Sequence, residues 1–193
     1  MMNRLITQTL TGKGDSDQLA AAIFGIALTT KGSKFLELGV REGASTYPLL
    51  LACKYLNAEL TSVDIQRNIF SCPDELRPHW KFVQSDALAY LENSPQHYDL
   101  IFIDDWHDGL HVKKELELLA PYCNKETVIL LHDLMYGWKH PEYNKSDNGD
   151  GWGLPNEFAN GGPYKAVDDL PKDEWEFSTI PFNNGLTILR KIK

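Results

Sequence analysis

The chain has 193 residues, enough for one domain with a full sheet covered on both faces, and its formal net charge of −8 without any Lys/Arg cluster argues against nucleic acid as a partner. No stretch approaches the roughly 20 apolar residues that span a bilayer, so no membrane partner is expected. Cys53, Cys72 and Cys123 are widely spaced and lack a C-x-x-C pair, which excludes a disulfide framework or zinc knuckle and points to a soluble, cytoplasmic protein with inert thiols.

Residues Ile6 to Gly14 are rich in Thr and Gly, after which Asp15 or Ser16 can cap a helix through DQLAAAIFGIALTT that Lys31-Gly32 ends. Residues 1–32 are therefore expected to form a helical extension that covers a sheet face or the mouth of a site.

The segment KFLELGVREGASTYPLL organises the rest of the chain. Phe35, Leu36 and Leu38 form an apolar run ending at Gly39, and Gly43 precedes a second apolar segment, which reads as strand, glycine turn and helix. Glycine lets backbone approach a ligand closely, and the unpaired amides of a helix start attract carboxylates or phosphates. Pro48 is tolerated only near the start of a helix, which puts Ser45 or Thr46 near the N-cap. The spacing Glu37-x-Gly39-x-x-x-Gly43-x-Ser45 differs from G-x-G-x-x-G, and a glutamate at the strand end suits a cationic ligand better than a dinucleotide phosphate. By itself the pattern also fits a glycine-rich turn in any doubly wound α/β protein.

YPLLLACKYL reads as a crossover helix and Ala58 to Val63 as a second, parallel strand. Asp64 closes that strand about twenty residues beyond the glycine loop, where a carboxylate can accept hydrogen bonds from ribose hydroxyls. Ile65 to Pro78 is punctuated by proline and reads as loop and broken helix. Trp80 to Val83 is a third strand; Ser85, Asp86 and Ala87 then lead into the short helix ALAYLENS, for which Asp86 is also a good N-cap.

Tyr98 to Ile103 is an uninterrupted apolar run, as in a central strand covered on both faces, and it ends in Asp104-Asp105-Trp106-His107-Asp108. The carboxyl end of such a strand is where open α/β sheets place their chemistry. Gly109 to Ala120 reads as an amphipathic helix with Val112, Leu116 and Leu119 on one face and charges on the other, closed by Pro121. His107 and His111 lie four apart, but no Glu follows His107 as in H-E-x-x-H, which disfavours a zinc pair. A fifth strand, Thr127 to Leu131, ends in His132-Asp133. Asp104 and Asp133 can then serve as oxygen ligands of a divalent cation, with His132 as nitrogen ligand or as a partner behind them.

Residues 136–163, rich in Gly, Asn, Asp, Pro and aromatics without periodicity, read as a lid or substrate loop. Tyr164 to Leu170 reads as a helix. Trp175 to Pro181 and Gly185 to Lys191 read as closing strands about an Asn183-Asn184-Gly185 turn.

Taken together, FLELGVREGAST, TSVDI, SDAL, DLIFIDDWHDGLHVKKELELLAPY and VILLHD resemble the class I S-adenosylmethionine (SAM)-dependent methyltransferases. In particular they are similar to the small metal-dependent O-methyltransferases of the catechol type and related bacterial stand-alone enzymes. I-D-D-W-H-D is similar to the L-D-H-W-K-D of catechol methyltransferases, where the first Asp binds magnesium, its neighbours touch SAM and the Lys deprotonates the substrate. Related sugar O-methyltransferases use a His at that offset.

The resemblance implies a single α/β domain over residues 1–193, built on a Rossmann-like doubly wound sheet of seven strands, mostly parallel with a C-terminal antiparallel hairpin strand. It implies SAM binding by Glu37, Gly39, Val40, Gly43, Ser45, Asp64, Ile65, Ser85, Asp86, Ala87, Asp104, Asp105 and Trp106. It further implies methyl transfer to a hydroxyl of a small-molecule acceptor, with His107 as base and Asp104 on the metal. The departure is His132-Asp133, where the family usually has Asp-Asn or Glu-Asp; an imidazole there weakens the case for magnesium and opens manganese, iron, zinc or no metal. The alternatives are a SAM-binding protein without activity and a metal-independent N-methyltransferase. A dinucleotide reductase is disfavoured by Glu37 and the missing third glycine, and a homo-oligomer stays open.

Overall fold

The computed structural model describes residues 1–135 and 159–193. Its strands are β1 (Lys34–Leu38), β2 (Glu59–Asp64), β3 (Trp80–Gln84), β4 (Leu100–Ile103), β5 (Val128–His132), β6 (Trp175–Ile180) and β7 (Leu186–Lys191). They form one seven-stranded sheet in the order β3-β2-β1-β4-β5-β7-β6. The first five strands are parallel, and β7 runs antiparallel to both β5 and β6. This is the mostly parallel sheet with a closing hairpin that the sequence leads one to expect.

The helices are α1 (Met2–Thr11), α2 (Asp15–Gln18), α3 (Ala20–Thr30), α4 (Thr46–Leu56), α5 (Ala87–Asn93), α6 (Gly109–Leu119) and α7 (Gly162–Asp168). Adjacent strand residues point to opposite faces, so the central strands feed two separate cores. Phe35, Phe102 and Leu130 pack with Leu5, Ile23 and Leu50 of α1, α3 and α4. Leu36, Ile101 and Leu131 pack with Tyr90, Leu116 and Val167 of α5, α6 and α7. Burying each such Leu or Phe side chain contributes about 1.5 to 3 kcal/mol.

Several elements differ from expectation. The Thr-rich start forms α1, although Leu5 is its one buried residue; docking holds it, through the Tyr47 hydroxyl on the Met1 carbonyl at 3.0 Å and the Arg4 guanidinium 4.2 Å from the Tyr47 ring. The helix expected through residue 30 breaks at Leu19, and Gly14, whose N–H donates to Asp17, stands at the start of α2. β5 extends through His132, and α7 starts at Gly162. In α6, Glu115 is fully buried beside Val112, Leu116 and Leu119 instead of on the charged face.

The Asn183-Asn184-Gly185 turn forms as expected, with φ of 48°, 63° and 93°. All three cysteines are free and buried. The segment read as a lid, 136–163, lies outside the described residues up to position 158. Among the described residues no helix is long and apolar enough to cross a membrane.

Candidate active site

The pairing register aligns Leu38 with both Val63 and Ile103, and Ile103 with Leu131, so the loops after β1, β2, β4 and β5 leave the sheet at one edge. Gly39 begins the first of these loops with φ of 88°, and a Cβ there would lie 2.2 Å from the Asp104 carbonyl oxygen. Only glycine permits that contact, which seats the loop directly against the exit of β4. Gly43, with φ of 84°, is similarly hemmed in by the Phe70 ring.

Asp64 pins the same loop from the other side. Its Oδ2 accepts the Val40 and Arg41 N–H groups at 2.9 and 3.1 Å, and its Oδ1 accepts the Gln66 N–H at 2.7 Å. The Ser85 N–H donates to the Asp64 carbonyl at 3.0 Å, which brings Ser85, Asp86 and Ala87 beside it. Asp86 caps α5 by accepting the Ala89 N–H. Between them Ile65 is 67% exposed, an apolar surface at the rim of the loop.

Glu37 does not stand open to a ligand. It lies on the α4 side of the sheet, as Phe35 does, and is fully buried under the first turn of that helix. Ser45 Oγ and Ser62 Oγ each donate to it at 2.6 Å and Thr46 Oγ1 at 2.9 Å, while Trp80 Nε1 donates onward to Ser62. Ser45 is the N-cap residue of α4, but its hydroxyl is spent on Glu37 instead of on a helix amide. Burial pushes the Glu37 carboxyl up to about 7 against the pull of these hydroxyls. The group ties β1, β2 and α4 together beneath the loop.

At the ends of β4 and β5 the structure gathers Asp104, His107 and Asp133, whose ligand atoms all lie within 4.8 Å of one another. His107 Nε2 is 3.3 Å from Asp104 Oδ1 and 3.1 Å from Asp133 Oδ2. Asp133 has φ of 60°, and its other oxygen, Oδ1, is buried without a hydrogen-bond partner.

His132 sits beneath this group, 1% exposed, with Nδ1 3.3 Å from both Asp104 Oδ1 and Asp133 Oδ1. Its Nε2 lies 3.1 Å from the Asn183 carbonyl oxygen, which can only accept, so Nε2 carries a proton. Burial opposes the charge on His132, but the two carboxylates overcome it and hold its pKa well above the ordinary value. Burial equally opposes ionisation of Asp104 and Asp133, yet His132 and the imidazole hydrogen bonds keep both below the usual carboxylate range.

Of the cation ligands read from the sequence, Asp104 and Asp133 thus converge with His107, and His132 takes the place behind them. The two residues that follow Asp104 lie as follows. Asp105 turns towards α6, with Oδ2 3.2 Å from His111 Nε2, and Trp106 is half-buried. Ser16, visible in the sequence only as a helix cap, donates from α2 to Asp104 Oδ2 at 3.1 Å. No local pattern signals that contact, because it joins segments far apart in the chain.

Such a site can hold a cationic or nucleoside-like ligand along β1 and β2, and can withdraw a proton or seat a cation at β4 and β5. A family model described as a methyltransferase domain matches residues 36–134. No curated protein matches the sequence. Solved structures resemble the chain over most of its length. The Streptomyces achromogenes O-methyltransferase TomG, in complex with SAM, aligns with a TM-score of 0.68 at 14% identity, over 92% of this chain and 81% of that one. A SAH-bound Podospora anserina methyltransferase gives 0.62 at 16% over 98% and 88%. A Bacillus cereus O-methyltransferase in complex with SAH gives 0.63 at 14% over 90% and 80%.

Proposed function

Since the methyltransferase-domain model takes in residues 36–134, the chain belongs to that family, and from this premise we propose that it transfers the methyl group of SAM to a hydroxyl oxygen of a small molecule. The observation that carries the reading is the seating of the Gly39 loop directly against Asp104, which puts a cofactor cradle and a carboxylate–imidazole cluster on one sheet edge. Likeness in fold to TomG with SAM and to SAH-bound relatives supports the choice of cofactor.

In this reading Asp64 receives the ribose hydroxyls. Oδ2 already accepts two backbone amides, but Oδ1 accepts only that of Gln66 and has a second lone pair to offer. Ile65 gives the adenine an apolar face, Ser85, Asp86 and Ala87 close its edge, and Gly39 to Gly43 cradle the amino acid end.

The sulfonium already carries a good leaving group, so the protein must align the acceptor oxygen with the methyl and remove its proton. His107 receives that proton, and Asp104 and Asp133, at 3.3 and 3.1 Å from its Nε2, stabilise the resulting imidazolium. Methyl then passes from sulfur to oxygen, and SAH leaves neutral at sulfur.

The cluster also fits a divalent cation. Asp104 and Asp133 supply hard oxygens and His107 a nitrogen within 4.8 Å of one another, a donor set that suits such an ion. Such an ion, when bound, lowers the acceptor hydroxyl's pKa and fixes its direction. One observation favours a second reading, metal-independent transfer: His132 already lies against both carboxylates and supplies positive charge there.

Tritiated SAM offered with a panel of hydroxylated, amine and thiol acceptors tests the function. Label is expected in an oxygen ether. SAM binding without transfer to any acceptor would instead make the chain a SAM-binding protein, and transfer to nitrogen that survives chelator would support the metal-independent alternative.

A further inference from the structure

A second polar cluster lies behind the site, between the exit of β4 and α6. His111 and Glu115 are one helical turn apart on α6, and Asp105 meets them from the loop after β4. His111 Nε2 is 3.2 Å from Asp105 Oδ2 and 3.6 Å from Glu115 Oε1. Glu115 is fully buried on the face that α6 turns towards the sheet.

Four buried side-chain atoms lack a hydrogen-bond partner among the described residues, and three belong to this cluster: both Glu115 oxygens and Asp105 Oδ1. A buried carboxylate without donors is costly, and more so when it is charged. The two carboxylates that carry these atoms share a single imidazole, that of His111. Two carboxylates and a neutral imidazole sum to the charge that one divalent cation balances. With metal–ligand bonds of about 2.0 to 2.2 Å, the edges of a tetrahedron measure about 3.3 to 3.6 Å, close to the two separations at His111 Nε2.

We propose that Asp105, His111 and Glu115 form a second divalent-metal site, which takes a zinc-class transition metal through one imidazole nitrogen and two carboxylate oxygens. Mixed nitrogen and oxygen ligation suits zinc or manganese better than magnesium, which prefers oxygen alone. The ion would tie the residue after Asp104 to the first and second turns of α6, and so brace the loop that carries His107. This inference stands independently of methyl transfer. The rival occupant of the gap is a proton on Glu115, whose carboxyl burial pushes well above its ordinary range, with the Asp105 charge adding to the shift.

Calorimetric titration of the chelator-stripped, full-length protein with Zn2+ separates the two. In an Asp133→Asn background, which removes a carboxylate from the other cluster, one equivalent should still bind. Adding E115Q or H111Q should weaken that binding at least about tenfold, the scale of losing even an outer partner of a metal site. X-ray absorption of the zinc-loaded protein should show a single imidazole in a nitrogen and oxygen shell. If Asp133→Asn does not fold, the same two substitutions in the wild-type protein should lower the zinc stoichiometry by one. Zinc binding unchanged in both E115Q and H111Q would overturn the proposal. So would an infrared band of a protonated carboxyl that persists at saturating zinc and vanishes in E115Q.

Discussion

Ser16 Oγ donates a hydrogen bond to Asp104 Oδ2 across 3.1 Å, joining residues 88 positions apart. Nearby, Gln8 Nε2 donates to the Ala44 carbonyl at 2.7 Å, so α1 and α2 touch both the glycine loop and the carboxylate cluster. The N-terminal helices belong to the site as well as to the core. Through Ser16 they orient a carboxylate that also faces His107 and His132.

Ser16→Ala is accordingly expected to slow methyl transfer by about 2- to 12-fold, the scale of one hydrogen bond worth about 0.5 to 1.5 kcal/mol, with the melting temperature little changed. Steady-state kinetics and thermal unfolding on the same sample check this. Wild-type kinetics in the variant would reduce the contact to packing.

Asp64→Ala should weaken SAM binding roughly ten- to a hundredfold in calorimetry, since it removes charge-assisted hydrogen bonds worth about 1.5 to 3 kcal/mol. The same carboxylate pins the Val40 and Arg41 amides, so Asp64→Asn, which keeps one oxygen acceptor, should lose less. Equal affinity in wild type and Asp64→Ala would remove the ribose assignment.

His107→Ala should lower methyl transfer by roughly a hundredfold or more while SAM affinity stays, as for loss of a general base. Asp104→Asn and Asp133→Asn should each abolish any stimulation by added cation. Activity that survives chelator and all three substitutions would place the chemistry elsewhere.

Glu37 gives stability a pH dependence of definite sign. Its carboxyl is held at about 7 in the fold, above the ordinary 4.5, mainly by burial. Below about 4.5 the folded and unfolded chains are both protonated and the contribution is complete. Between 4.5 and 7 the unfolded chain loses the proton first, so stability falls as pH rises, by on the order of 3 kcal/mol across the window. Urea midpoints measured over that range should decline in wild type and flatten in Glu37→Gln; parallel slopes would show that another group titrates.

The sheet was legible because its strands are apolar runs separated by strong breakers, and Gly39 and Asn183-Asn184-Gly185 do adopt the positive φ that such breakers imply. Asp104 and Asp133 could be paired in advance because each follows the end of its own parallel strand. The rest needed tertiary information. Whether Glu37 faces the loop or α4 depends on which side of the sheet the helix crosses. Helix α1 has a single buried residue, so no apolar stripe announces it. Glu115 shows the limit of periodicity: a charged residue three positions from Val112 and four from Leu119 falls on their face, and only the packed structure shows the burial.

The proton on His132 Nε2 is fixed by the carbonyl of Asn183, a backbone atom in the turn between the last two strands. No side-chain replacement at position 183 can delete that acceptor. What decides whether His132 keeps its orientation is a torsion angle, the φ of 48° at Asn183, with 63° at Asn184 after it. Glycine or aspartate there would preserve the acid–base chemistry of a histidine some fifty residues upstream, whereas valine or isoleucine would disturb it without touching any reactive group. The hairpin thus positions His132 by its conformation instead of by a functional group.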